Sequence, residues 1–325
     1  MRLVSFRSNR EVRIGSVVDQ QVIDLNLAYE LMLEFQGKLR AKQIAEAFLP
    51  ANMVEFLQGG EESHAIAKEV TQFALDYLKN SNTKIIHSLE EIKLDAPVLN
   101  PGKIICVGHN YREHILEMGR EIPEIPVIFA KYANTVIGPQ DDIPFFPISE
   151  QLDYEAEFAF VIGKRARNIK QDDALEYVAG YTIVNDVTYR DIQRRTIQWL
   201  QGKTVEGSAP MGPWLVTKED IPDPSGLEIA LTVNGEERQH ANTSSLVFTV
   251  QYLVEFLSNL TTLEPGDVIL TGTAGGVGVA MNPPTFLQDG DVVRIEIDQI
   301  GVLENRVKTM EVVSHEPTAK AHSAN

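Results

Sequence analysis

One cysteine, Cys106, is all that 325 residues provide, so no internal disulfide can form. Set in Ile104-Ile105-Cys106-Val107, it reads as a buried strand residue rather than a nucleophile. Long apolar runs are missing as well. No uninterrupted stretch approaches the ~18 residues of a transmembrane helix. The first residues, Met1 to Phe6, lead straight into Arg7, Asn9, Arg10 and Glu11, which is not a signal-peptide pattern. Basic residues are scarce: 29 Lys and Arg stand against 46 Asp and Glu, a formal charge of −17. That imbalance disfavours nucleic acid and anionic membranes as partners, because both would be repelled. Small acids remain possible ligands wherever a metal or a local cation reverses the field. The expectation is a soluble, cytoplasmic globular protein, and its 43% hydrophobic content suffices for a sizeable core in one large domain or two.

Along the chain, short apolar runs to about residue 25 predict strands with a turn at Ser8 to Arg10. Helical spacing continues at Ile44, Phe48, Met53, Phe56 and Leu57, is interrupted at Pro50 and stops at Gly59-Gly60. Ile66, Val70, Phe73, Ala74 and Tyr77 form a further helical stripe, and Ser81-Asn82-Thr83 reads as a turn. The extended Leu94 to Pro101 segment marks a boundary near residue 95. Beyond it the signal turns to strands, at 103–107, 127–130, 156–162, 177–185, 214–217, 227–233, 268–271 and 292–297. Helical stretches intervene at 114–118, 190–200 and 250–257, the last with Ser245 or Thr249 as cap. Many short strands and few long helices predict an α+β fold built on a β-rich roll or sandwich. The division expected is a small α/β domain over 1–95, a β-rich domain over 96–313 and a disordered tail over 314–325.

The chemistry concentrates in a few places. Glu155 and Glu157 head the strand Ala156–Ile162 and, two positions apart, project from one face at about 7 Å spacing. Side by side next to an apolar run they are a solvated strand end, an ion pair with Lys or Arg, or part of a metal site. Asp186 ends another strand and is either a turn residue or a third carboxylate. Three oxygen donors would suit a hard ion such as Mg²⁺ or Mn²⁺ and leave coordination positions open. His114 and Glu117, three apart, share a helix face and form a solvent-facing pair or a base with its orienting carboxylate. Lys203 is a surface lysine or a donor to a developing oxyanion. Gly202-Lys203-Thr204 is no phosphate loop, since Ile197 replaces the glycine it requires. Gly272 to Gly278 cannot open a dinucleotide-binding helix either, because Pro283-Pro284 come soon after. A tight turn presenting N–H groups and the Thr273 hydroxyl to a bound anion fits better.

Four motifs, Ile105 to His114, Leu152 to Glu157, Asn185 to Gln193 and Leu270 to Thr273, together resemble the fumarylacetoacetate hydrolase superfamily. The likeness spans residues 100 to about 308, and the preceding 95 residues resemble the extra N-terminal domain of longer bacterial members, including the YisK-like proteins. The resemblance implies a mixed β-sandwich roll, a homodimer and a Mg²⁺ or Mn²⁺ site at Glu155, Glu157 and Asp186. It further implies a His114–Glu117 catalytic dyad on a lid-like helix, an active-site Lys203, and Arg190, Gln193 and Thr273 on the substrate side. Ala274 and His109 depart from the residues common at those positions. The activity expected is metal-dependent C–C hydrolysis of 2,4-dioxo acids through a pyruvate-type enolate. Oxaloacetate decarboxylation and isomerisation of an unsaturated 2-hydroxy-dioate draw on the same site, and a non-catalytic scaffold is the alternative of a different class.

Overall fold

Strand Ala156–Ile162 is buried at every position, and the two other layers pack on its opposite faces. Its alternation decides what meets what. Phe158, Phe160 and Ile162 enter one hydrophobic cluster, while Ala159 and Val161 enter another. Burial on both sides is why the run reads as continuously apolar after Glu157. In this computed structural model the described residues are 1–8, 10–77, 84–117, 119 and 121–311, without the side chain of His114. The expected tail 314–325, the turn at Ser81 to Thr83 and Asn9 lie outside them.

The large sheet runs, in spatial order, through Ile86–Ser88, Gln21–Asp24, Glu11–Val18, Arg2–Ser8, Ala209–Thr217, Val178–Asn185, Ala156–Ile162, Val268–Thr273, Ile104–Gly108 and Val127–Lys131. Along this order the pairing is antiparallel except that Val268–Thr273 lies parallel to Ile104–Gly108, and off it Val136–Ile137 lies parallel to Ala209–Thr217. A second sheet carries Glu236–Asn242, Glu228–Val233, Val292–Ile297, Gly301–Thr309 and Ile143–Phe145. Its inward residues, among them Leu231, Ile295 and Leu303, share the phenylalanine side of the core with helix Val250–Leu260. Thr249 caps that helix by accepting the Tyr252 N–H at 3.3 Å, so of the two expected caps it is Thr249 that does so.

Helices Leu25–Phe35, Ala41–Phe48, Met53–Gln58 and Gly60–Tyr77 cover the other face. Their apolar sides meet Ala159, Val161, Met211 and Leu270 in one cluster. The sheet also crosses the expected boundary near residue 95, since Arg2 and Leu3 pair with Val216 and Leu215. Residues 1–95 therefore share both sheet and core with the larger C-terminal part of the chain. In helix Gly60–Tyr77 the buried line is Ser63, Ala67, Val70 and Ala74, whereas Tyr77 is exposed. The large side chains of the expected stripe flank small ones that let the helix approach its neighbours.

The stretch 190–200 is not one helix. It forms two single turns, Arg190–Gln193 and Leu200–Lys203. Between them the Thr196 hydroxyl bonds both the N–H and the carbonyl of Gln198, a local turn that competes with helical bonding. The two turns pack closely because position 202 is glycine: a Cβ there would lie 2.5 Å from the Gln193 nitrogen. Cys106 is fully buried, and burial pushes its thiol well above the ordinary value, which makes it a packing residue. No helix among the described residues is long and apolar enough to cross a membrane.

Candidate active site

Strand register assembles the carboxylates. Ala156 pairs with Asn185, so the next residue on one strand, Asp186, meets the preceding residue on the other, Glu155. The Asp186 N–H donates to the Glu155 carbonyl at 2.9 Å, and the Asn185 amide oxygen accepts the Glu155 N–H at 3.0 Å. Glu157 pairs on its other side with Thr273, and the ladder slips between Glu157 and Ala159. Gly272 occupies that irregularity with φ +98°, and a Cβ on it would lie 2.8 Å from the Val107 carbonyl oxygen. Its N–H donates to the Glu157 carboxylate at 2.7 Å. Glu155, Glu157 and Asp186 thus bring one oxygen each to within 4.8 Å of one another. All three are buried, which rules out a solvated strand end.

Cations are interleaved with them. The Lys203 ammonium donates to Glu155 and to Asp186, each at 2.7 Å. Lys131 donates to the second Asp186 oxygen at 2.8 Å and to the Ser208 hydroxyl at 3.1 Å. Arg190 reaches Asp153 through Nε and Glu155 through Nη1, both at 2.7 Å. Burial works to discharge Lys203, but Asp186 and Glu155 outweigh both burial and Arg190, and its pKa lies above the ordinary 10.5. The two carboxylates thus hold Lys203 in its charged form. Arg190 is raised likewise: burial opposes its charge, and Asp153 and Glu155 overcome that. Glu157 stands apart. Burial, then the neighbouring Asp186 and Glu155, push its carboxyl well above 4.5, against weaker help from Lys203 and the Gly272 N–H.

The glycine-rich turn differs from expectation. Its N–H groups hold the protein's own carboxylates: Gly276 donates to Glu117 at 3.2 Å, and Gly278 and Val279 donate to Asp153 at 2.8 and 3.0 Å. The Thr273 hydroxyl donates to the Ala156 carbonyl at 2.9 Å and accepts from Gln239 at 2.8 Å, so its proton is already engaged. Gln193 accepts from Arg190 at 3.3 Å. Arg190, Gln193, Lys203, Thr273, Glu155 and Glu157 all line one cleft. Glu117 reaches the turn that forms the cleft's rim from helix Arg112–Glu117, and the side chain of its expected partner His114 lies outside the described residues.

Three residues that support the cluster are absent from the candidates named by sequence. Lys131 is fully buried, and its only signal is a lone lysine closing the apolar run Val127-Ile128-Phe129-Ala130. Asp153 ties Arg190 to the glycine-rich turn. Gln239 bridges the Ala156 N–H, the Thr273 hydroxyl and the Ala274 carbonyl, and nothing local to its exposed strand announces that role.

The donor set suits a hard divalent cation. It is all oxygen, it clusters at ligand distance, and one carboxyl, Glu157, lacks enough positive charge to stay ionised readily. Residues 103–308 match the family Fumarylacetoacetate (FAA) hydrolase C-terminal, and the chain belongs to it. The oxaloacetate tautomerase fahd2 of Xenopus laevis mitochondria is 45% identical over 313 residues, 94% of this chain and 90% of the relative. The oxaloacetate tautomerase YisK of Bacillus subtilis is 40% identical over 302 residues, 90% and 95% of the two chains. The structure of maleylpyruvate hydrolase from Sphingobium sp. SYK-6 with manganese(II) and pyruvate aligns with a TM-score of 0.72 at 27% identity, over 96% of this chain and 100% of that one.

Proposed function

We propose that this chain is a divalent-metal-dependent oxaloacetate tautomerase, moving a proton between C3 and the C2 oxygen of the substrate. The observation that carries the reading is the buried cluster of Glu155, Glu157 and Asp186 interlocked with Lys203 and Arg190. Relatives across nearly the full length are named for this reaction, and that favours proton transfer over the C–C hydrolysis expected from the sequence. Glu155, Glu157 and Asp186 would hold Mg²⁺ or Mn²⁺, which when bound polarises the 2-oxo group and neutralises charge that develops on its oxygen.

The chain's own groups supply the rest. Loss of a C3 proton sends an electron pair to the C2 oxygen, and the reverse step returns a proton to C3. Lys203, charged and anchored by two carboxylates, is a preorganised donor beside that oxygen, and Arg190 adds a second positive charge behind Glu155. Phe129 lies under the Lys203 ammonium at 5.1 Å and keeps its surroundings dry. The proton acceptor at C3 is assigned to His114, as the resemblance implies, and its expected partner Glu117 is held at the rim by the Gly276 N–H. No attacking water is required.

The deciding experiment tracks enol-oxaloacetate loss and pyruvate release in parallel with the Mg²⁺- or Mn²⁺-loaded protein, each against a metal-only blank. Faster tautomerisation without pyruvate is the expected result. Pyruvate release from oxaloacetate would make the chain a decarboxylase, and pyruvate with acetate from acetylpyruvate would restore the hydrolase reading.

A further inference from the structure

The helical turn Arg190–Gln193 ends on Arg194, so positions 190, 193 and 194 lie on one side of it, at spacings of three and four. All three residues line the cleft. Their engagement differs sharply. Arg190 is buried and holds Asp153 and Glu155, and only its Nη2 is left without a hydrogen-bond partner. Lys203, the lysine of the cleft wall, is shared between Glu155 and Asp186. Arg194 is exposed, and among the described residues no ion pair or hydrogen bond engages its side chain. The next residue, Arg195, turns to Asp191 at 4.0 Å. Trp199, Val277 and Val279 line the same cleft, as does His109, whose ring stands edge-on to Trp199 at 5.4 Å between centroids.

We infer that Arg194 is a specificity-determining residue that reads the distal carboxylate of a dicarboxylic 2-oxo acid. The inference rests on the tautomerase reading for which end of the substrate lies inward. With the 2-oxo acid end at the carboxylate cluster, the second carboxylate of a C4 diacid points to the mouth. There it meets a wall that includes Trp199 and His109, and one guanidinium that, among the described residues, holds no protein carboxylate. A chain of net charge −17 repels a dianion overall, so a local unpaired cation is what admits it. Two arginines four apart on one helical face disfavour each other, and an anion beside the outer one relieves that repulsion. A guanidinium–carboxylate contact also rewards a planar, charged end over a neutral one.

The experiment deletes the charge from each side in turn. The Mg²⁺-loaded wild type, R194A and R194K are compared on oxaloacetate and on its 4-methyl ester, which keeps the 2-oxo acid but loses the distal charge. Both kcat/KM for tautomerisation and Kd from tryptophan fluorescence are read, since Trp199 lines the cleft. In the wild type, oxaloacetate should be preferred over the ester by about tenfold or more, the scale of one charge-assisted contact. R194A should lose that preference through KM, with kcat and the ester's constants held within about twofold, and R194K should restore part of it. An unchanged preference in R194A, or an equal loss on both ligands, would overturn the inference. Discrimination in Kd that tracks Arg194 supports it even if oxaloacetate is not turned over, a result that would remove the tautomerase reading alone.

Discussion

Lysines meet carboxylates in two parts of this molecule with opposite consequences. At the carboxylate cluster, Lys131 and Lys203 and the carboxylates of Glu155 and Asp186 are nearly inaccessible, with side-chain exposures from 0% to 9%. At the seam between helix Gly60–Tyr77 and the large sheet, Lys164 pairs with Glu61 at 2.6 Å, yet the two are 40% and 84% exposed. His64 and Glu219 stand 3.6 Å apart in the same region. The residue types are alike, but water screens one set and not the other. Screened pairs can be exchanged at little cost. Buried ones fix each other's position, and any change leaves a charge without its partner.

The largest expected effect comes from Asp186, which meets both lysines. D186N should remove divalent-metal binding and lower turnover by about 10³-fold or more, the several kcal/mol a metal Lewis acid contributes. Calorimetric metal titration alongside kinetics checks both, and a variant that still binds Mn²⁺ with wild-type affinity would refute the ligand assignment. K131M comes next. It strips a fully buried cation from Asp186 and should destabilise the fold by about 3–5 kcal/mol in denaturant titration. A loss of only tenths would place Lys131 with the screened pairs and break the contrast.

Metal linkage tests the cluster through its protons. The Glu157 carboxyl is held well above 4.5 by burial and by Asp186 and Glu155, and a cation bound there favours its ionised form in competition with the proton. Metal affinity is expected to rise with pH, and adding Mg²⁺ to chelator-stripped protein in weak buffer should release protons. E157Q should abolish the release.

At the seam the effects shrink. His64 is held below 6.5, first by burial and then by Lys68 and Lys218, with Glu219 opposing. A depressed histidine contributes stability that is complete above 6.5 and declines as pH falls from there towards its folded value. H64Q should flatten the pH dependence of the thermal midpoint in that acidic window and leave neutral pH unchanged. Smallest of all, K164M should shift the midpoint by no more than about 2 °C, and a large shift would show the seam to be as tightly coupled as the cleft.

Some of this is legible in the sequence. Strand Ala156–Ile162 is marked by its aromatic and β-branched residues, and the glutamates at its head are separated by the spacing that puts them on one face. The motifs around Glu155, Asp186 and Gly272 locate the family. Stretch 190–200 reads as one helix because its apolar spacing continues through Thr196, where in the fold a side-chain turn breaks the ladder. The anion turn is half right: its N–H groups do bind anions, but those of Glu117, Asp153 and Glu157. Lys131 shows only as a lone lysine closing an apolar run and Gln239 only as part of a family-like segment, and neither stands near the glutamates in sequence, so their place in the cluster is not legible.

The chain by itself marked many of the strands (though not Glu236–Asn242 or Gly301–Thr309), the carboxylates that head them and how acidic the whole is, because periodicity, spacing and charge are local or additive. Tertiary structure alone decided that Asp186 sits beside Glu155, that Lys131 and Lys203 thread between them, and that the first 95 residues close the same core. Those outcomes depend on strand register and on contacts between residues tens of positions apart. Burial then sets the strength of every charge among them, and burial belongs to the assembled fold.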